Sequence, residues 1–133
     1  MKNNVTYILF LDDSHERHKA FIKLFTTRFP LNYEVISAYS VEEAKNLMSK
    51  YKFSYLFLDH DLSEEDIMCI PGQKTLCPTG MDFVDWLIKN YNPCDFMHIK
   101  CHSWNSSARL RMFQALQAKG FSVSQKPFSA TSL

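Results

Sequence analysis

The chain has 133 residues, 46% of them hydrophobic and 22% charged, and its formal net charge is +1. This length favours one domain over residues 1–133 with a core of its own, and the composition excludes a disordered chain. The nearly neutral charge excludes a broad basic surface for nucleic acid, so any anion has to be bound locally.

The first predicted elements are a strand and a helix. Residues 5–11 (VTYILFL) form a nearly continuous apolar run, which is typical of a strand buried on both faces. Asp12 and Asp13 end this run. Apolar residues at helical spacing then predict a helix that ends at Pro30. These residues are Phe21, Leu24, Phe25 and Phe29.

Two further strands lie on either side of the next predicted helix. Residues 33–38 form the second strand, and residues 53–59 form the third. Between them, Ser40 and Glu43 have the spacing of a capping box, in which a hydroxyl and a carboxylate satisfy free amides at a helix start. The chain therefore continues as strand, helix and strand.

The second half of the chain repeats this alternation. Residues 79–82 (TGMD) form a second capping box and predict a helix, and residues 96–101 form the fourth strand. A helix over residues 107–119 follows, with Gly120 as its left-handed cap. Residues 121–125 form the fifth strand.

Five strands alternating with four helices predict an α/β fold, a doubly wound parallel sheet with helices on both faces. In such folds ligands bind beyond the carboxyl ends of the strands. The polar residues at the strand ends should therefore lie close together. They are Asp12 and Asp13 after the first strand, Asp59, His60 and Asp61 after the third, His102, Ser103 and Asn105 after the fourth, and Lys126 after the fifth.

Carboxylates brought together in this way repel one another, and a divalent cation is the usual means of neutralising them. Oxygen ligands favour Mg²⁺ or Mn²⁺ over zinc. A structural alternative is that Asp12, Asp13 or Ser14 caps the first helix, but capping does not account for Asp59 and Asp61 after another strand. Strand alternation puts these last two acids on one side and the intervening histidine on the other. We therefore predict a metal site with all four aspartates as candidate ligands.

The order and spacing of these residues along nearly the whole chain resemble the receiver domain of bacterial response regulators. The resemblance is carried by Asp12 and Asp13, by Asp59, and by residues 126–128 (KPF). It implies a flavodoxin-like sheet of order 2-1-3-4-5, Mg²⁺ on the three aspartates, and a phosphate held by Lys126.

Two features depart from ordinary receivers. His102 stands where receivers carry a small serine or threonine, and the chain ends at Leu133, which leaves no room for the fifth helix of receivers. The motifs are similar to those of a diverged group, the cyclic-phosphate-processing receiver-like (cREC) family. That resemblance implies a phosphoesterase acting on a 2′,3′-cyclic phosphate at an RNA end or on a cyclic nucleotide. The motifs are LDD at 11–13, LDHDL at 58–62, TG at 79–80 and HSWN at 102–105.

The residues fit the chemistry of opening a cyclic phosphodiester, which needs charge neutralisation, an activated nucleophile and a proton for the departing oxygen. The metal and Lys126 would neutralise charge, His102 would transfer the proton, and Asn105 would orient the imidazole or the phosphate. Alternatively, Asp59 is the nucleophile, and a phosphoryl-aspartate is hydrolysed with His102 as base.

Several residues near this edge have either a functional or a structural interpretation. His60 is catalytic or only satisfies neighbouring carbonyls. Trp104, beside Ser103 in the same motif, stacks on a nucleobase or anchors its loop. Residues 62–78 are too long for a simple connection and predict a lid, from which Lys74 could meet a phosphate.

The remaining histidines and cysteines are interpreted as structural. We expect His15 and His18 on the solvated face of the first helix, and His98 packed within the fourth strand. The cysteines lack CxxC spacing, which argues against a zinc knuckle and favours reduced thiols. They are Cys69, Cys77, Cys94 and Cys101.

Three functions follow from these observations. The first is a metal-dependent phosphoesterase for a nucleotide or RNA-end cyclic phosphate. The second is a signalling receiver phosphorylated on Asp59, and the third is a receiver that binds a nucleotide or protein without turnover. No apolar run could cross a bilayer and no signal-peptide cleavage pattern is present, so we expect a cytoplasmic protein. We expect neither a membrane nor a specific DNA sequence as a partner.

Overall fold

The computed structural model of the protein describes residues 5–28, 32–62 and 78–130. Predictions that concern the other residues lie outside this description. They include the role of Lys74, the lid over the segment before Pro78, and the reduced state of Cys69 and Cys77.

Strands and helices alternate along the chain, close to the predicted bounds. The strands are β1 (Thr6–Leu11), β2 (Tyr33–Ala38), β3 (Phe53–Leu58), β4 (His98–Cys101) and β5 (Val123–Gln125). The helices are α1 (His15–Arg28), α2 (Val41–Lys50), α3 (Gly80–Asn90) and α4 (Ser106–Ala118), with a 3₁₀ turn at Pro93–Asp95. None of the helices in the described ranges is long and apolar enough to cross a bilayer.

The five strands form one parallel sheet of order β2-β1-β3-β4-β5. This arrangement confirms the predicted doubly wound sheet and its strand order. Within residues 126–130, the part of the chain described after β5, no helix follows. The carboxyl ends of β1, β3 and β4 are adjacent at the middle of the sheet, so residues that follow these strands meet there.

The sheet is buried on both faces, which explains the continuous apolar run of β1. Leu9 and Leu11 face the larger part of the core, where α2, α3 and α4 pack. Ile8 and Phe10 face the other side, where α1 contributes Phe21 and Phe25. The smaller cluster is largely aromatic, and the rings of Phe10 and Phe21 stack with centroids 4.2 Å apart.

The predicted helix caps are present. Ser40 accepts a hydrogen bond from the Glu43 N–H, while the Glu43 carboxylate reaches back to the Tyr39 N–H at 2.7 Å. Thr79 and Asp82 form the second capping box with both of its hydrogen bonds. Gly120 follows α4 with φ of +93°, a left-handed conformation that costs glycine little.

Gly80 is required by the close approach of α3 to the end of β3. Its N–H donates to the His60 carbonyl at 2.8 Å. A Cβ at this position would overlap the backbone carbonyl of Asp59 and would lie 2.8 Å from the His60 Cα. The two residues of the TG motif therefore have different roles. Thr79 caps α3, and Gly80 allows the helix to approach the backbone of Asp59 and His60, which any larger residue would prevent.

We expect Gly80→Ala to lower the free energy of unfolding by about 2 kcal/mol, because backbone atoms must shift to admit the methyl group. Elsewhere in a helix the same substitution is stabilising by up to about 1 kcal/mol. Urea denaturation measures the difference. Asp85→Ala, at an exposed position of the same helix, is the control and should not destabilise. A Gly80→Ala protein as stable as wild type would contradict this account of the contact.

Candidate active site at the strand ends

Three buried side chains from three strands meet at the carboxyl edge of the sheet. Asp12, Asp59 and His102 each offer a ligand atom, and these atoms all lie within 4.8 Å of one another. Backbone hydrogen bonds continue the sheet one residue past each strand. The Asp59 N–H donates to Leu11 O and the His102 N–H donates to Leu58 O, both at 2.9 Å. The register of the sheet thus places the three side chains together.

Arg17 supplies the positive charge at this cluster, and the sequence analysis missed it. Its Nε and Nη2 donate to the two carboxylate oxygens of Asp12 at 2.8 and 2.9 Å. Nη2 also lies 3.5 Å from an oxygen of Asp13 and 3.5 Å from an oxygen of Asp59. Its position, five residues after Asp12 on the first turn of α1, does not by itself distinguish it from an arginine that faces solvent.

His102 is fixed by one polar and one aromatic contact. Its Nε2 lies 2.8 Å from Asp12 Oδ2, and because a carboxylate only accepts, Nε2 is assigned as the donor. The imidazole stacks on Phe10 with centroids 4.8 Å apart and an interplanar angle of 1°. Nδ1 is buried without a hydrogen-bond partner among the described residues. This geometry makes His102 a hydrogen-bond donor to the Asp12 carboxylate.

Opposite effects act on the two central carboxyls. Burial alone would raise the pKa of Asp12, but hydrogen bonds from His102 and Arg17 outweigh it and lower that pKa to about 2. Burial, followed by the negative charge of Asp12, raises the pKa of Asp59 to about 7, although Arg17 acts against this rise. Burial also lowers the pKa of His102. Asp12 is therefore the fixed anion of the site, and Asp59 is the carboxyl that exchanges its proton near neutral pH.

The prediction that His18 faces solvent is wrong. It is buried, and its Nε2 lies 2.7 Å from the Asp12 carbonyl while its Nδ1 lies 2.9 Å from Ser37 Oγ. Its spacing from Phe21 and Phe25 puts it on the buried face of α1. His15 is exposed, as predicted.

The neighbours of the central acids differ in where their side chains lie. Asp13 is buried beside Arg17. Asp61 has a 64% exposed side chain that pairs with His60 Nδ1 at 2.8 Å, and the structure does not bring it into the cluster. The predicted alternation does not apply to it because β3 ends at Leu58.

The residues after His102 build the turn into α4. Ser103 is buried, its hydroxyl accepts the Asn105 N–H at 3.1 Å, and its carbonyl accepts a hydrogen bond from Arg109 at 2.8 Å. Asn105 caps α4 by accepting the Ala108 N–H. The Trp104 side chain is 69% exposed at this edge.

The chain after β5 returns to the same edge. Lys126 is exposed, and its N–H donates to the Cys101 carbonyl at 3.0 Å. Phe128 donates its N–H to the His102 carbonyl at 2.9 Å and packs its ring against Phe10. His98 of β4, which was predicted to be packed, is partly buried between the Ser122 and Ser124 hydroxyls.

A parallel sheet of order 2-1-3-4-5 with buried aspartates after its first and third strands defines a receiver-type domain. Residues 7–118 match the family model for the cyclic-phosphate processing receiver domain. The chain therefore belongs to this family, as the motifs of the sequence indicated. No protein with a curated description matches the chain.

Solved receiver domains have the same fold at low sequence identity. The signal receiver domain of a putative LuxO repressor from Vibrio parahaemolyticus is 17% identical, with a TM-score of 0.65, over 95% of this chain and 82% of that one. The chemotaxis protein CheY4 of Vibrio cholerae is 22% identical, with a TM-score of 0.59, over 95% and 90%. The response regulator TrrA of Thermotoga maritima, solved with Mg²⁺-BeF, is 19% identical, with a TM-score of 0.61, over 94% and 88%.

We expect the ionisation of Asp59 to cost stability in metal-free protein. Its pKa rises from 3.8 to about 7 on folding, so the folded state binds the extra proton, and this contribution is lost as pH rises from about 4 to 7. Relative to Asp59→Asn, the wild type should lose several kcal/mol across that range, at about 1.4 kcal/mol per pKa unit.

Chemical denaturation in EDTA at several pH values measures this difference. Taking the difference between the two proteins removes the contribution of the buried histidines, His18 and His102, whose pKa values are lowered by burial and whose effect on stability has the opposite sign. Asp85→Asn, which neutralises an exposed acid, is the control. A difference between wild type and Asp59→Asn that stays constant with pH would refute the prediction.

Proposed function

We propose that this protein hydrolyses a cyclic phosphate, either a 2′,3′-cyclic phosphate at an RNA end or a cyclic nucleotide. The observation that carries the proposal is the buried cluster of Asp12, Asp59 and His102 at the edge where doubly wound sheets bind ligands. Membership of the cyclic-phosphate processing family supports the same substrate class.

The donor set fits a divalent cation, Mg²⁺ or Mn²⁺. Carboxylate oxygens of Asp12 and Asp59 lie within 4.8 Å of each other, and oxygen ligands suit these ions. Asp12 and Asp59 would hold the cation, with the buried Asp13 beside them. When bound, the cation would neutralise the non-bridging oxygens of the phosphate.

Hydrolysis adds water across one ring P–O bond. The water oxygen bonds to phosphorus, the P–O bond breaks, and the departing oxygen takes a proton. Asp12 is ionised in the cluster, and a bound divalent cation would favour the ionised form of Asp59 as well, so both carboxylates would be available to hold it. The sequence analysis assigned proton transfer to His102, but its side chain is buried and its Nε2 holds the Asp12 carboxylate, so we assign it the role of a positioning residue instead.

Two exposed residues at the same edge would bind the substrate. Lys126 follows β5 and would meet a phosphate oxygen. Trp104 is a large aromatic side chain, 69% exposed, immediately after the buried Ser103. Stacking on this ring would bind a nucleobase but would not distinguish one base from another.

A second candidate function is phosphorylation of Asp59 in signalling. It is favoured by the similarity to TrrA, which was solved with Mg²⁺-BeF. In this case Asp59 is the nucleophile, and the phosphoryl group stays on the carboxylate instead of passing to water. Binding of a nucleotide or protein without turnover is the third candidate, for which neither hydrolysis of a cyclic phosphate nor labelling of Asp59 is expected.

The assay compares wild type, Asp59→Asn and His102→Ala with 2′,3′-cyclic nucleotides, 3′,5′-cyclic nucleotides and an RNA with a cyclic phosphate end, in Mg²⁺ or Mn²⁺. We expect both variants to lose about 10²-fold or more in kcat/KM, because each removes a group of the central cluster. Circular dichroism checks that both variants fold, and Asp85→Asn is the active control. Stable labelling of Asp59 by a small phosphodonor without hydrolysis would instead support signalling.

Replacing Trp104 separates substrate binding from chemistry. With a nucleotide substrate, Trp104→Ala should raise KM by about 5- to 150-fold, because a stacked base contributes about 1–3 kcal/mol. Trp104→Phe, which keeps an aromatic face, should restore most of the loss. A steady-state comparison measures both constants, and an unchanged KM in Trp104→Ala would exclude stacking.

A further inference from the structure

We propose that Arg17 is a tethered cation that occupies the acidic cluster in metal-free protein and has to leave Asp12 before a divalent cation binds. The inference rests on the metal site of the proposed function, and it assigns to Arg17 the control of metal affinity. Arg17 contacts Asp12, Asp13 and Asp59, the three acids nearest the site.

The hydrogen bonds of Asp12 leave no acceptor position for a metal. Oδ1 accepts the Ser14 N–H at 2.8 Å and Arg17 Nη2 at 2.9 Å. Oδ2 accepts Arg17 Nε and His102 Nε2, both at 2.8 Å. A carboxylate offers about four lone-pair sites on its two oxygens, and all of them are in use. A cation that coordinates Asp12 must therefore displace one donor.

Arg17 is the donor that can move. The Ser14 donor is a backbone N–H at the start of α1, and the His102 side chain is 3% exposed and stacked on Phe10. The Arg17 side chain is 33% exposed and carries its guanidinium on a flexible stem. A doubly charged cation also repels the guanidinium while attracting the same carboxylates.

This arrangement has two consequences for the site. Without metal, the guanidinium relieves repulsion among the acids, so the fold does not depend on an ion for charge balance. With metal, binding carries the cost of releasing Arg17, which lowers the affinity. A monovalent cation carries the same charge as the guanidinium, which also donates hydrogen bonds to both oxygens of Asp12. The competition with Arg17 therefore favours divalent over monovalent cations.

The test is Mg²⁺ binding to the full chain by isothermal titration calorimetry. Arg17→Gln should bind Mg²⁺ at least about tenfold more tightly than wild type, because the competing donor is gone. Without metal, the same variant should melt at lower temperature than wild type, and saturating Mg²⁺ should reduce the difference. Arg111→Gln, which removes one exposed positive charge from α4, is the matched control and should bind like wild type.

A second measurement uses the wild type and does not depend on any variant folding. The Arg17 Nε–H signal in ¹H–¹⁵N spectra should be protected in metal-free protein, because it donates to a buried carboxylate. Saturating Mg²⁺ should return this signal to the behaviour of a free arginine. A signal unchanged at saturation would overturn the inference.

The outcomes separate this inference from the proposed function. Equal or weaker Mg²⁺ binding by Arg17→Gln overturns the inference even if cyclic phosphates are hydrolysed. Tighter binding by Arg17→Gln with no hydrolysis of any cyclic phosphate supports the inference and refutes the enzyme. Absence of Mg²⁺ uptake by wild type and variant alike overturns both.

Discussion

The buried pair of carboxylates at the ends of β1 and β3 constrains the rest of the site. Asp12 and Asp59 are 0% and 4% exposed, and ionised groups at such depth are stable only with positive charge or donors close by. Arg17 of α1 supplies the positive charge, and His102, which directly follows β4, supplies a further hydrogen-bond donor. The start of α1 and the position of β4 in the sheet are therefore both constrained by the need to stabilise these two buried carboxylates.

Phe10 links this charged cluster to the hydrophobic core. Its ring stacks on Phe21 of α1 on one side of the sheet and also lies parallel to the His102 imidazole. His18 and Phe128 meet the same ring edge-on. A change in the packing of α1 would therefore reach the hydrogen bond between His102 and Asp12. Core and site in this protein are one packed unit, and the aromatic character of the smaller cluster has a function in holding the imidazole.

The fold was predictable because continuous apolar runs and capping boxes are local signals. Asp12, Asp59 and His102 were also predictable, because a parallel sheet brings the ends of its strands together regardless of their distance in sequence. Arg17 was not identified, since an arginine on a first helical turn has the same local pattern whether it points to solvent or to a carboxylate. Asp61 was placed with the acids by an alternation that stops where hydrogen bonding to the neighbouring strand stops. Such outcomes depend on side-chain direction, which spacing alone does not determine.

The hydrogen bond from Gly80 to the His60 carbonyl has a consequence for how this fold can vary. It joins the start of α3 to the chain two residues after β3, and Leu62 is buried in the larger core cluster. The connection from residue 63 to residue 77 therefore begins and ends at points fixed by other contacts. Closing a longer loop costs only about 0.6 kcal/mol for each doubling of its length. A change of length between these two points would therefore leave the strand ends and their carboxylates in place.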